Sequence, residues 1–129
     1  MVTHGVIGNY DAAAIAYDRA ITLSPRDRSK LIWLAGKGIA AYIAGRYEEV
    51  LELAGAMTHE NRNFASAHRQ LAAANAMLGR LDEAGNAMKR VLELVPGLAI
   101  AQVRLMVPVQ DPEAQERWLD GLRKAGLPE

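Results

Sequence analysis

The sequence predicts an all-α fold of antiparallel helix pairs stacked one on the next, and three observations predict it. Half the residues are apolar but only 5% are aromatic, and the abundant alanine suits closely packed helices better than a sheet. Gly45-Arg46-Tyr47-Glu48-Glu49-Val50 and Gly79-Arg80-Leu81-Asp82-Glu83-Ala84 place two glycines 34 residues apart, the period of a helix–turn–helix repeat. A third copy, Gly8-Asn9-Tyr10-Asp11-Ala12-Ala13, stands 37 residues before Gly45. Finally, capping signals bracket the segments of helical period.

Taken in order, Asn9 is the expected N-cap of a helix from Tyr10 to Leu23. Its apolar residues recur at three- and four-residue steps and form one face. Ser24-Pro25-Arg26-Asp27 then closes that helix and opens another, with serine at the cap and proline at the first helical position. The second helix is expected from about Pro25 to Ala44, with Gly45 as its left-handed cap. Because Ile39 to Ala44 is apolar on every side, neighbours should enclose it on several faces. A third helix runs from Tyr47 to Thr58, followed by a polar loop over His59-Glu60-Asn61-Arg62-Asn63. Asn63 is the expected cap of a fourth, Phe64 to Leu78, and a fifth runs from Leu81 to Leu94 until Pro96-Gly97 breaks it. A short sixth spans Leu98 to Met106. Asp111-Pro112-Glu113 starts the last, Pro112 to Ala125, whose stripe of Ala114, Trp118, Leu119, Leu122 and Ala125 can cover the open end of a stack. The chain thus reads as a single domain: a partial repeat over 8–25, complete repeats over 26–63 and 64–97, and C-terminal helices over 98–129.

Fifteen basic residues balance fifteen acidic ones, so no net field draws the chain to nucleic acid or an anionic membrane, and neither is an expected partner. Without cysteine, disulfides and thiolate metal sites are excluded. The start, Met1-Val2-Thr3-His4-Gly5, lacks the pattern of a signal peptide. The most apolar stretch, Leu31 to Ala44, carries Lys37 and falls short of the ~20 residues a membrane span needs. A cytoplasmic protein is the expectation.

Position by position, the glycine-aligned copies resemble the tetratricopeptide repeat. Tyr10, Tyr47 and Leu81 match one another, as do Asp11, Glu48 and Asp82, and Pro25 and Pro96 end their copies. Gly38, Ala72, Ala13 and Ala84 fit the small positions where paired helices approach, and Leu34, Leu71, Tyr17 and Met88 fit the wedge positions. The resemblance covers residues 8–107 and implies a short right-handed solenoid with a C-terminal capping helix. The phrases Ala-Gly-Arg-Tyr-Glu-Glu and Leu-Gly-Arg-Leu-Asp-Glu-Ala, with the ending Leu-Asp-Gly-Leu-Arg-Lys-Ala-Gly-Leu-Pro-Glu, look like the C-terminal repeat region of bacterial adenylate/guanylate cyclase-type signalling proteins and winged-helix regulators. That likeness implies a detached sensory or scaffolding module, either a fragment or a short gene of its own.

Little here points to catalysis. Glu48-Glu49 and Asp82-Glu83 are adjacent on a helix, point about 100° apart, and are better explained as first-turn charges favoured by the helix dipole. The glycines follow helices, so they do not form a phosphate loop. Of His4, His59 and His68, none has a metal-motif partner at helical spacing; a small metal-dependent enzyme using His59, His68 and nearby acids is the competing class. No cofactor is expected. In tetratricopeptide arrays the first helix of each pair lines a concave groove, which implies Ile32, Ala35, Ile39 and Tyr42 from one repeat and Ser66, Arg69, Ala73 and Met77 from the next. The family's carboxylate clamp wants Lys and Asn where Ala35, Ile39 and Ala73 stand, so capture of a peptide terminus is not expected. A mostly apolar groove with one cation suits an amphipathic helix or hydrophobic peptide, or else the chain's own terminal segments fill it. The expected role is a non-enzymatic protein–protein interaction module, regulatory or scaffolding, or alternatively a self-association module. Since the first copy has only its second helix, its apolar face is expected to be covered by a second copy, in a homodimer through the N-terminal end, or in a longer protein by an upstream repeat.

Overall fold

A computed structural model describes residues 15, 19, 30–106 and 111–129. Six helices make up most of these: α1 (Lys30–Ile43), α2 (Tyr47–Glu60), α3 (Ala65–Met77), α4 (Leu81–Leu94), α5 (Ile100–Met106) and α6 (Pro112–Ala125). No strand occurs among the described residues.

The two glycine stretches end helices as their spacing predicts. Gly45 has φ +80° and Gly79 φ +79°, the left-handed region in which a side chain is strained. Both turns close with the same pair of backbone bonds. Arg46 N donates to Ala41 O at 2.8 Å and Gly45 N to Tyr42 O at 3.0 Å; Arg80 N donates to Asn75 O at 2.8 Å and Gly79 N to Ala76 O at 3.1 Å. This double closure satisfies carbonyls that the helix end would otherwise leave free. The chain turns back sharply, so α1 packs on α2 and α3 on α4. Lys30 Nζ meets Glu60 Oε1 at 3.1 Å and ties the first turn of α1 to the last of α2.

The pairs stack through α3, which packs against α1, α2, α4 and α6. Five alanines of α3 (67, 72, 73, 74 and 76) are buried, and their small size admits helices on every side. Three of its polar residues, Arg69, Gln70 and Asn75, are buried as well. Gln70 Nε2 donates to the Ala35 carbonyl of α1 at 2.9 Å, and the amide fits there because Gly38 has no Cβ: a methyl at Gly38 would overlap Gln70 Oε1. The larger core gathers Tyr42, Val50, Met88, Val91, Trp118 and Leu122 around the α3 alanines, while Leu34, Ala54, Met57 and Ala67 form a smaller cluster between the first pair and α3.

Several expectations need correction. The helix expected to stop at Thr58 continues through His59 and Glu60: Asn61 N donates to Met57 O at 2.9 Å, and Glu60 is held by Lys30. Asn63 does not cap α3. Phe64 occupies the cap position without a side-chain bond, and Asn63 Oδ1 instead accepts from Arg90 Nη2. The sixth predicted helix starts at Ile100, not Leu98, because Gly97 turns at φ +82° and Leu98 is drawn into the core. Of Ile39 to Ala44, only Ala41 and Tyr42 are buried. The predicted helix Tyr10–Leu23, its caps and most of the surface expected to dimerise lie outside the described residues; Ile15 and Arg19 are helical and exposed.

Candidate functional site

The candidate groove residues lie at three- and four-residue steps on α1 and α3, the spacing that puts side chains on one helix face. Their surroundings divide this surface into two parts. At one end α6 is seated on it. Tyr42 Oη donates to Arg117 O at 2.6 Å, and Arg117 Nη2 donates to the Ile43 carbonyl at 3.1 Å. The Tyr42 ring stands edge-on to Trp118, with centroids 5.2 Å apart, and also to Tyr47 at 5.1 Å. Gly121 lies against Ala73: a Cβ there would come 3.1 Å from Ala73 Cβ and 3.2 Å from Ala73 O, and would overlap the Tyr42 hydroxyl.

The sequence makes α6 fit for this seat. Asp111 Oδ1 accepts from Glu113 N at 3.1 Å with Pro112 next to it, and Gly126 ends the helix at φ +113°, so both predicted boundaries stand. All five residues of the predicted stripe are buried, together with Gly121. On the outer face Arg123 gathers Asp120 at 2.8 Å, Glu129 at 2.8 Å and Glu116 at 3.4 Å, while Glu116 also takes Arg104 of α5 at 2.7 Å. The Arg104 hydrogen bond is the largest influence holding the Glu116 carboxyl below its ordinary range, and the bonds from Glu129 and Asp120 raise the Arg123 guanidinium.

The eight groove candidates are therefore distributed unevenly. Tyr42 and Ala73 lie under α6 and are inaccessible, and Ile39 and Met77 are half-buried against the larger core. Ile32 is 66% exposed, with Ala35 and Ser66 half-buried. Arg69 is only 7% exposed and donates from Nη2 to Ser66 Oγ at 2.8 Å. No carboxylate among the described residues pairs with it, and burial lowers its pKa from the ordinary guanidinium value. Of the two occupants expected for this face, a terminal segment of the chain itself covers Tyr42 and Ala73. Sequence reasoning missed Gly121. A glycine inside a well-capped amphipathic helix costs about 1 kcal/mol against alanine, and that cost was a signal of close backbone approach.

The first-turn acids Glu48, Glu49, Asp82 and Glu83 sit where the dipole reading puts them. His59 and His68 do come together, but with Arg62 and Arg90 at a cavity rather than with acids. Among the described residues no group of three His, Cys, Asp or Glu side chains is arranged to hold a metal, and no helix is long and apolar enough to cross a membrane. No protein-family model, curated protein or solved structure matches the chain.

Proposed function

We propose that the chain is a non-enzymatic protein–protein interaction module, a short right-handed solenoid of tetratricopeptide type that presents a concave face to an amphipathic helix or hydrophobic peptide. The 34-residue register, the matching closures at Gly45 and Gly79 and the back-to-back helix pairs support that architecture. The observation that carries the functional reading is α6. An amphipathic helix with a small residue at its centre and an aromatic one turn away already lies on this face, so the surface has the shape and polarity such a ligand needs. The part of the face not covered at Tyr42 and Ala73 offers Ile32, Ala35 and Ser66 beside Arg69. A guanidinium buried without a carboxylate gains a charge-assisted bond when an incoming peptide supplies an acid. In a regulatory or scaffolding protein, this end of the groove is where partner choice is made.

Quantitative affinity capture with wild type, Ile32→Glu and Leu105→Glu tests the reading. Ile32 and the 87%-exposed Leu105 of α5 are both surface residues, so each substitution should leave stability within about 0.5 kcal/mol. Partners recovered by wild type and Leu105→Glu should be lost with Ile32→Glu. Equal recovery by all three proteins argues against the groove, and loss of nothing but the chain's own copies transfers the reading to self-association.

A further inference from the structure

A second site lies on the other side of α3 and does not depend on the concave face. A cavity of about 740 Å³ opens between the end of α2, the loop that follows it, α3 and α4. Leu71, on its wall, is about 200° around the helix from Arg69, taking about 100° per residue. The cavity therefore faces away from the groove. Its volume falls in the range of small-molecule sites.

The lining is cationic and holds no carboxylate among the described residues: Arg62 comes from the loop and Arg90 from α4, with His59, His68 and Asn63 also on the wall. The loop is fixed in place before any ligand arrives. His68 Nε2 donates to Arg62 O at 2.8 Å, Asn63 N donates to Asn61 Oδ1 at 2.9 Å, and Arg90 Nη2 donates to Asn63 Oδ1. These bonds use one donor of Arg90; a second, Nη1, goes to Glu93 at 3.3 Å. Glu60, at the end of α2, is engaged by Lys30. Among the described residues the Arg62 guanidinium has no ion pair and no bond engages the Asn63 amide NH₂ as donor. The rest of the wall comes from Leu71, from Gly55, where a Cβ would meet open space, and from Thr58, whose hydroxyl donates to Gly55 O at 3.0 Å. Among the described residues no Phe, Tyr or Trp ring lines it.

We propose that this cavity binds a phosphomonoester carried on a small aliphatic body, such as a sugar phosphate. Two guanidiniums approaching from different elements suit an anion with oxygens on several sides: Arg62 can give a charge-assisted, forked contact, and Arg90 keeps N–H donors beyond those held by Asn63 and Glu93. The volume exceeds what a bare phosphate fills, and the Leu71 side of the wall suits an aliphatic body.

The full chain is titrated with a hexose phosphate, inorganic phosphate, a nucleoside monophosphate and a dicarboxylate of similar size, followed by calorimetry and by the ring signals of His59 and His68 in NMR. The hexose phosphate should bind in the millimolar range or tighter and move both ring signals. Arg62→Gln, at an exposed residue with no ion pair to lose, should weaken it about tenfold or more. Arg62→Lys should weaken it less, and Arg104→Gln, on α5 and not part of the lining, should not change it. Unmoved ring signals, or unchanged affinity in Arg62→Gln, overturn the site. Equal binding of the dicarboxylate overturns the phosphate assignment, and equal or tighter binding of inorganic phosphate or the nucleoside monophosphate overturns the aliphatic body.

Discussion

α1 and α3 hold matching places in the 34-residue register, yet their burial runs opposite to their composition. The sequence of α1, KLIWLAGKGIAAYI, is the more apolar, but only Leu34, Gly38, Ala41 and Tyr42 are buried and Ile32 is exposed. In α3, ASAHRQLAAANAM, eight residues are buried, including Arg69, Gln70 and Asn75. The difference is one of neighbours. α3 has α1, α2, α4 and α6 around it, whereas among the described residues α1 packs on α2 and α3 and is bonded to α6 at its last turn. A helix enclosed on all sides needs small side chains more than hydrophobic ones, since the bulk at each contact sets how closely axes approach. α3 supplies alanines for this purpose, and its Gln70 amide lies where Gly38 of α1 leaves a gap.

The largest way to break this contrast is Gly121→Ala. The added methyl meets the backbone of Ala73, which cannot swing aside, and the hydroxyl of Tyr42, which is already bonded. Overpacking of this kind outweighs the helix propensity gained, and α6 should lift from α3 at a net cost of about 2–3 kcal/mol. Urea denaturation measures the loss, and hydrogen exchange locates it: amides of α3 should lose protection while those of α2 keep theirs. Unchanged protection in α3 would mean that α6 does not enclose it.

What the sequence made legible follows from the range of the signals involved. Gly45, Gly79, Gly126 and the Asp111-Pro112 start act within a turn of themselves, and the boundaries they set at Leu81–Leu94 and Pro112–Ala125 hold. The groove residues of α1 were implied by the tetratricopeptide resemblance, and helical spacing puts them on one face. Spacing does not mark an occupant: Tyr42 at helical spacing reads the same whether a foreign peptide or the chain's own Trp118 lies against it. Asn63 shows the same limit, since its capping chemistry is local while Arg90, the group it bonds, is 27 residues away. The cavity that joins His59, His68 and Arg90 has no periodic trace at all, because its walls come from three helices and a loop.

Gly38→Ala sharpens the comparison at the joint between the two helices. Here the obstacle is the Gln70 amide, a side chain that can rotate out of the way. Rotation costs the bond to Ala35 O and leaves a buried amide to resatisfy, so the expected loss is about 1–2 kcal/mol. The double variant Gly38→Ala, Gln70→Ala should recover part of it, because the new methyl then occupies space the amide has vacated. A double variant as unstable as the sum of the two single variants would show that the residues do not act on one another.

The smallest effect is expected where α1 touches α6. Tyr42→Phe keeps the ring against Trp118 and Tyr47 but removes the 2.6 Å bond to Arg117 O, costing about 1 kcal/mol near neutral pH. The same hydroxyl gives the contact a pH signature. Burial first, then the adjacent Tyr47, pushes the Tyr42 phenol well above its ordinary value. The unfolded chain therefore ionises at this residue first, near pH 10, while the folded chain stays neutral. A raised folded pKa means that this contribution is complete below about pH 10 and falls away as pH climbs towards the folded value. Denaturation midpoints taken from neutral to alkaline pH should fall more steeply for wild type than for Tyr42→Phe, so that the two curves converge. Parallel curves would mean that Tyr42 ionises as readily in the folded chain as in the unfolded one, and that α6 does not seal the end of α1.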